Sequence, residues 1–179
     1  NFDAYNGMAE LVKHFIQVHH VSKFAFLRGP ANHNSANDRY RAFCDTLKEF
    51  GIPVENSKMI SDPFEWREGK NAIVQLCEKR GLVPGRDFTA LLAASDLMAF
   101  DAIEYLHKRG FAVPDDYLVA GFNDMSKSKM LVSALTTVHM PYRTMGLNAY
   151  ELILNEVENS SVLKRNINLL APVVIRESC

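Results

Sequence analysis

Two glycine signatures are missing from this sequence, and their absence removes whole classes of function. No G-x-G-x-x-G follows an apolar run and no G-x-x-x-x-G-K-[ST] occurs, so dinucleotide and nucleoside-triphosphate cradles lack their glycines. Gly29-Pro30 does follow an apolar run, but a single glycine does not wrap a phosphate. A hydrolase would need a G-x-S-x-G elbow, and there is none. His33, Ser35 and Asp38 supply triad letters within one short loop and helix start, a spacing that does not build triad geometry by itself. No run of 18 apolar residues and no secretory n- and h-region is present, so the sequence offers nothing to span or cross a membrane. Charge of one sign is lacking too. With 20 Lys and Arg against 21 Asp and Glu, no basic cluster provides the footprint of nucleic-acid binding. Cysteine is scarce: Cys44, Cys77 and Cys179 form an odd, widely spaced set without C-x-x-C, read as free thiols in a reducing compartment. No metal is expected. His14, His19 and His20 are close in sequence, but helical spacing puts His14 and His19 poorly in line, and no Cys or carboxylate joins them there.

What is present is an ordinary globular composition, 47% apolar over 179 residues, enough for one large domain or two small lobes. The most informative stretch is 88–124. Thr89–Ala94 is apolar without alternation, as in a strand buried on both faces of a parallel sheet. Ser95 and Asp96 then offer N-cap chemistry, and Leu97, Ala99, Phe100, Ile103 and Leu106 form an apolar stripe at helical spacing. His107, Lys108 and Arg109 suit the end of a helix dipole, and Gly110 suits the C′ position. A second apolar run, Tyr117–Phe122, ends in Asn123 and Asp124. This strand–helix–strand unit places both polar pairs at the carboxyl edge of one sheet, where open α/β folds bind ligands.

Elsewhere the periodicity predicts a helix over 4–18 capped by Asp3, a buried strand at Phe24–Leu27, and a helix from about Ser35 (its N-cap) to Phe50. Arg39 sits where an anion would suit the dipole better, which suggests either a ligand or a salt bridge to Asp38 or Glu68. Val54–Ile60 reads as a weaker strand, and Asp62-Pro63-Phe64 as the opening of a helix to about Lys79. Phe64 and Trp66 point different ways at that helix mouth, one toward the core and the other toward the sheet edge. A short helix over 125–132, an extended segment over 134–138, a loop at 159–161 and a closing strand within 166–176 follow. The helix over 142–157 is expected to turn Met145, Leu147, Ala149, Ile153 and Leu154 inward.

Taken in order, FAFLRGP (24–30), His33-x-Ser35-Ala36-x-x-Arg39-Tyr40, Ala94-Ser95-Asp96-x-Met98-Ala99 and Arg109-Gly110-x-x-Val113-Pro114-x-Asp116 resemble the effector-binding core of the lactose- and galactose-repressor family. Gly121-Phe122-Asn123-Asp124, Leu135-Thr136-Thr137-Val138 and Met145-Gly146 continue the match over nearly the whole chain. The resemblance implies an α/β, periplasmic-binding-protein-like lobe: a mostly parallel sheet flanked by helices on both faces, in three layers. It implies the second lobe of a two-lobed module over 1–179, with the 142–157 helix belonging to the first lobe. It also implies a non-enzymatic, cytoplasmic protein without a cofactor, a homodimer whose partner is a small, sugar-like effector. DNA would be reached only through a head domain outside this chain. By motif position, effector contacts fall on Ser35, Arg39, Phe64, Ser95, Asn123 and Tyr142, with Arg39 solvated when no ligand is bound. Position 95 is usually Asn in the family and 123 usually Asp; an Asn at 123 offers one acceptor and one donor group where Asp accepts twice. The ending Val174–Cys179 also resembles a variant in which the module is the sensor of a signalling protein with a cyclase- or kinase-type output. An enzyme of unknown type is the remaining alternative.

Overall fold

The computed structural model describes residues 1–54, 59–159 and 167–179. Five helices and five strands are labelled in chain order: α1 (Ala4–Gln17), β1 (Phe24–Leu27), α2 (Asn34–Glu49), α3 (Gly69–Val74), β2 (Ala90–Ala93), α4 (Asp96–His107), β3 (Leu118–Ala120), β4 (Thr137–Val138), α5 (Tyr142–Asn159) and β5 (Val173–Val174). The central sheet is parallel in the order β1-β2-β3, with Phe24 opposite Ala90 and Ala90 opposite Leu118. Single parallel bridges widen it at both edges, Ile60 to Phe26 and Thr136 to Ala120. β4 and β5 pair antiparallel beside it.

The unbroken apolar runs FAFL and ALLA are buried at every position because helices cover both faces of the sheet. Phe24 and Phe26 project to one side and meet Phe43 of α2, whose ring stacks on Phe26 at 4.6 Å. α1 packs beside α2, and α3 packs against α4. The α3–α4 approach is close enough to require Gly69: a Cβ there would lie 2.5 Å from the Cα of Met98. At the end of α4, Gly110 (φ +87°) accepts the left-handed turn, and the Phe111 and Gly110 amides donate to the carbonyls of Leu106 and His107.

Three sequence expectations are corrected, and two lie partly outside the described residues. α2 begins at Asn34 with His33 as N-cap, two residues before the expected cap; Ser35 instead hydrogen-bonds the His33 ring at 3.1 Å. The helix expected from Asp62-Pro63 starts only at Gly69 and continues as a π-turn over Gln75–Lys79. The backbone before it is engaged elsewhere: the Asp62 amide donates to the Gln75 side chain at 2.8 Å, and the Phe64 amide to the Arg28 carbonyl at 3.2 Å. Of the Val54–Ile60 strand, residues 55–58 lie outside the described residues, and Ile60 forms a single bridge. Of the α5 residues expected to turn inward, Met145 packs against the core, whereas Leu147, Ala149, Ile153 and Leu154 are exposed, Leu147 and Ile153 at 52% and 60%. Residues 160, 161 and 166 of the expected loop and closing strand also lie outside the described residues; β5 occupies Val173–Val174.

Candidate functional site

The carboxyl edge of the sheet opens into a cleft of about 550 Å³. Each strand delivers polar groups to it from the residues that follow. Ser35 and Arg39 come from the chain after β1, Ser95 from the turn after β2, and Asn123 from the turn after β3. Tyr142 enters from the start of α5. These five of the six expected residues are gathered together. Phe64 is not among the lining residues; it packs against the core, and Trp66, two positions on, lines the cleft instead. The seat of Trp66 explains Gly29, where a Cβ would stand 2.7 Å from the indole.

Arg39 is neither solvated nor salt-bridged. It is 3% exposed, its Nη1 donates to the Ala94 carbonyl at 2.5 Å, and its guanidinium lies over the Phe122 and Trp66 rings. Asp38 pairs with Arg41 instead, at 3.0 Å. Arg39 therefore spans α2, β2 and β3 from inside the cleft floor. Burial lowers its pKa to about 10, with the charges of Tyr142 and Asp96 opposing, so it stays cationic at neutral pH. Its Nε is buried without a hydrogen-bond partner among the described residues. A buried charged donor left without a partner is costly to the fold.

Ser95 is the N-cap of α4, accepting from the Met98 amide at 3.3 Å, so its hydroxyl is oriented before any ligand arrives. Asp96, which sequence reasoning treats as a helix cap, is wholly buried and joins three segments. Its Oδ1 accepts from the Thr137 hydroxyl at 2.6 Å, and its Oδ2 from the Met125 amide at 2.7 Å and the Ser128 hydroxyl at 2.8 Å. Burial pushes the Asp96 carboxyl above its ordinary value, against the pull of those three donors. Gly121 belongs to this hub, because a Cβ there would lie 2.3 Å from Asp96 Oδ1.

Asn123 and Asp124 take φ values of +120° and +53°, conformations that Asn and Asp tolerate better than other side chains. The Asn123 side chain has no hydrogen-bond partner among the described residues and lines the cleft; Asp124 turns the other way, to Arg176 and to His139 Nδ1 at 2.9 Å. The pair thus divides the work, one residue open to the cleft and one locking the rim. Burial opposes ionisation of Asp124, but Arg176 and His139 outweigh it and hold the carboxyl below its usual value. The cleft combines the Arg39 guanidinium, the three hydroxyls of Ser35, Ser95 and Tyr142 and the Asn123 amide with the apolar faces of Phe2, Trp66, Met140 and Met145. That mixture suits a small polar molecule with one flat or apolar side. Of the triad letters, Ser35 hydrogen-bonds His33, whereas Asp38 pairs with Arg41.

Comparison with known proteins places this geometry in context. The model of the periplasmic binding protein-like domain matches residues 12–179. The chain is 28% identical over 176 residues to the HTH-type transcriptional repressor PurR of Photobacterium profundum, covering 98% of this chain and 51% of that protein. The crystal structure of the Escherichia coli transcriptional repressor ascG superposes with a TM-score of 0.85 at 26% identity, over 99% of this chain and 62% of that one. A sugar-binding transcriptional regulator of the LacI family from Escherichia coli, complexed with phosphate, gives 0.79 at 27% identity over 99% and 60%. The chain spans about half the length of the curated relatives it matches. With its parallel sheet, flanking helices and carboxyl-edge cleft, the chain belongs to the periplasmic binding protein-like domain family, in the form carried by repressors of the lactose and galactose type.

Proposed function

We propose that this chain is the effector-binding portion of a transcriptional regulator, and that a small, sugar-like molecule occupies the cleft lined by Ser35, Arg39, Ser95, Asn123 and Tyr142. The observation that carries the reading is the convergence of Ser35, Arg39, Ser95, Asn123 and Tyr142, from four separate segments of the chain, on one cleft at the carboxyl edge of the parallel sheet. In this reading Trp66 offers a flat ring to the effector in place of the contact that motif position puts on Phe64. The uncovered apolar side of α5 supports assigning this chain to the second lobe and α5 to the first. Regulation through a DNA-binding head outside the chain, a homodimeric state, a cytoplasmic setting and the lack of catalysis belong to the same proposal. Among the described residues, no helix is long and apolar enough to cross a membrane. The names of the relatives favour a repressor over the sensor of a signalling protein. Calorimetric titration with a panel of pentoses, hexoses and nucleobases tests it. Saturable heat from at least one compound, weakened in Asn123→Ala and Trp66→Ala, is the expected result. A panel that is silent throughout, or heat that neither variant changes, overturns the assignment.

A further inference from the structure

Outside the cleft lining, three side chains converge that the sequence separates. α1 ends at Gln17, and His20 takes a left-handed conformation (φ +54°) that curls the chain back, with the Val21 amide donating to the Phe15 carbonyl at 3.1 Å. The curl folds His19 over the last turn of α1. His19 Nε2 then lies 3.2 Å from His14 Nε2, correcting the expectation that the two rings are out of line. The third group arrives from the other end of the chain. After β5, Ser178 is anchored by its amide to the Ala134 carbonyl and by its hydroxyl to the Val119 carbonyl. That anchoring delivers Cys179 Sγ to 3.9 Å from His14 Nε2. All three ligand atoms lie within 4.8 Å of one another, and all three residues are partly exposed.

We propose that His14, His19 and Cys179 form a binding site for a borderline-soft divalent ion, zinc being the type case, with the fourth position open to water. The spacings support it. Tetrahedral zinc with bonds of about 2.0–2.1 Å to nitrogen and about 2.3 Å to sulfur separates two nitrogens by about 3.3 Å and nitrogen from sulfur by about 3.6 Å. The His14–His19 and His14–Cys179 separations already approach those values. The remaining edge closes by rotation of His19, which stands on the turn after α1. The ligand chemistry is consistent: two imidazoles and a thiolate select zinc-like ions over magnesium or calcium, which take oxygen ligands. The sulfur also has a supporting partner, since Cys179 Sγ lies 3.1 Å from Thr136 Oγ1. Once the ion displaces the thiol proton, that hydroxyl can turn to donate to the thiolate, as outer-shell partners of metal ligands do. The ion would staple α1 to the residues after β5, closing a loop between positions 14 and 179.

Cobalt is the informative probe, because bound thiolate gives a near-ultraviolet charge-transfer band and tetrahedral coordination gives intense visible bands. The chain, free of any histidine tag, should bind one cobalt with both signatures, and zinc should displace it. Cys179→Ser should remove the charge-transfer band. His19→Ala, on an exterior turn, should weaken zinc binding at least about tenfold in competition with a chromophoric chelator, the smallest loss seen even for outer-shell partners. Circular dichroism checks that both variants remain folded. A wild-type protein with no charge-transfer band, or variants that bind zinc as tightly as the wild type, overturns the site.

Discussion

The guanidinium carbon of Arg39 lies 3.8 Å from the centre of the Phe122 ring, so the cation at the cleft floor is also a packing element between α2 and the end of β3. Arg39→Ala should therefore lose on two counts. It removes a charge-assisted hydrogen bond to the Ala94 carbonyl, at a cost of about 1.5–3 kcal/mol in stability, and it should abolish measurable effector binding. Thermal melts and titrations performed well below the transition separate the two losses. An unchanged melting temperature would show that the stacked Arg39 contributes nothing to the fold.

Asp96 should prove harder to replace than any cap residue. Asp96→Ala leaves the Met125 amide and the hydroxyls of Ser128 and Thr137 without their acceptor in a buried place. At about 1–3 kcal/mol for each unsatisfied group, with incomplete additivity, a loss of at least about 3 kcal/mol is expected in denaturant unfolding. A loss below 1 kcal/mol, about what a simple cap contributes, would reduce Asp96 to that role.

Gly121 and Asp96 should be coupled. Gly121→Ala drives a methyl into the space of Asp96 Oδ1 and should cost about 1–3 kcal/mol alone. In an Asp96→Ala background the obstacle is gone, and the same substitution should cost clearly less. Additive effects in that double-mutant cycle would place the cost of Gly121→Ala elsewhere.

Much of this architecture is legible in the sequence, for a specific reason. β2, α4 and β3 are defined by neighbours: unbroken apolar runs, Ser95 accepting from Met98 three residues on, and Gly110 at a left-handed end. Wherever the deciding partner is distant, local reading fails. Nothing near position 96 reveals that its acceptors serve residues 29, 32 and 41 positions away. Pro63 looks like a helix start because the Gln75 side chain that captures the Asp62 amide is invisible to a local window. The choice between Phe64 and Trp66 turns on the close approach of the Trp66 indole to Gly29, which only the fold displays. Cys179 meets His14 across 165 positions, beyond any motif.

Acid should weaken the rim of the cleft before its floor. The Asp124 carboxyl is held below the ordinary aspartate value of 3.8, so its stabilising effect is complete above that value and is lost as pH falls through the lowered one. Asp96 is shifted upward and has the opposite sign: protonation favours the folded state, and its contribution falls as pH rises. The melting temperature should drop as pH falls below about 4. Asp124→Asn should flatten that drop while lowering stability at neutral pH. An acid limb of equal steepness in the variant would assign the drop to other carboxylates.

The uncovered side of α5 makes a further expectation. A longer form, extended to the full length of relatives of which this chain spans about half, should cover Leu147, Tyr150 and Ile153 and enclose the cleft. Effector affinity should rise at least about tenfold, equivalent to about 1.4 kcal/mol. Equal affinity in the longer and shorter proteins would mean that the cleft residues described here hold the ligand alone.

The carboxylate of Asp96 also sets a pattern in time. The Met125 amide sits just ahead of an isolated 3₁₀ turn, Ser126–Lys129, where amides ordinarily trade protons with water in moments. Here its acceptor is a buried oxygen at 2.7 Å that simultaneously holds Ser128, while the companion oxygen holds Thr137. Releasing that proton to solvent means dismantling the junction of α4 with β4, so Met125 should exchange for deuterium at nearly the rate of the strand amides in β2. The amides of α5, on a helix with one side bare, should exchange far sooner. A loop that keeps time with the core sets the floor of the cleft as the slow clock of the molecule.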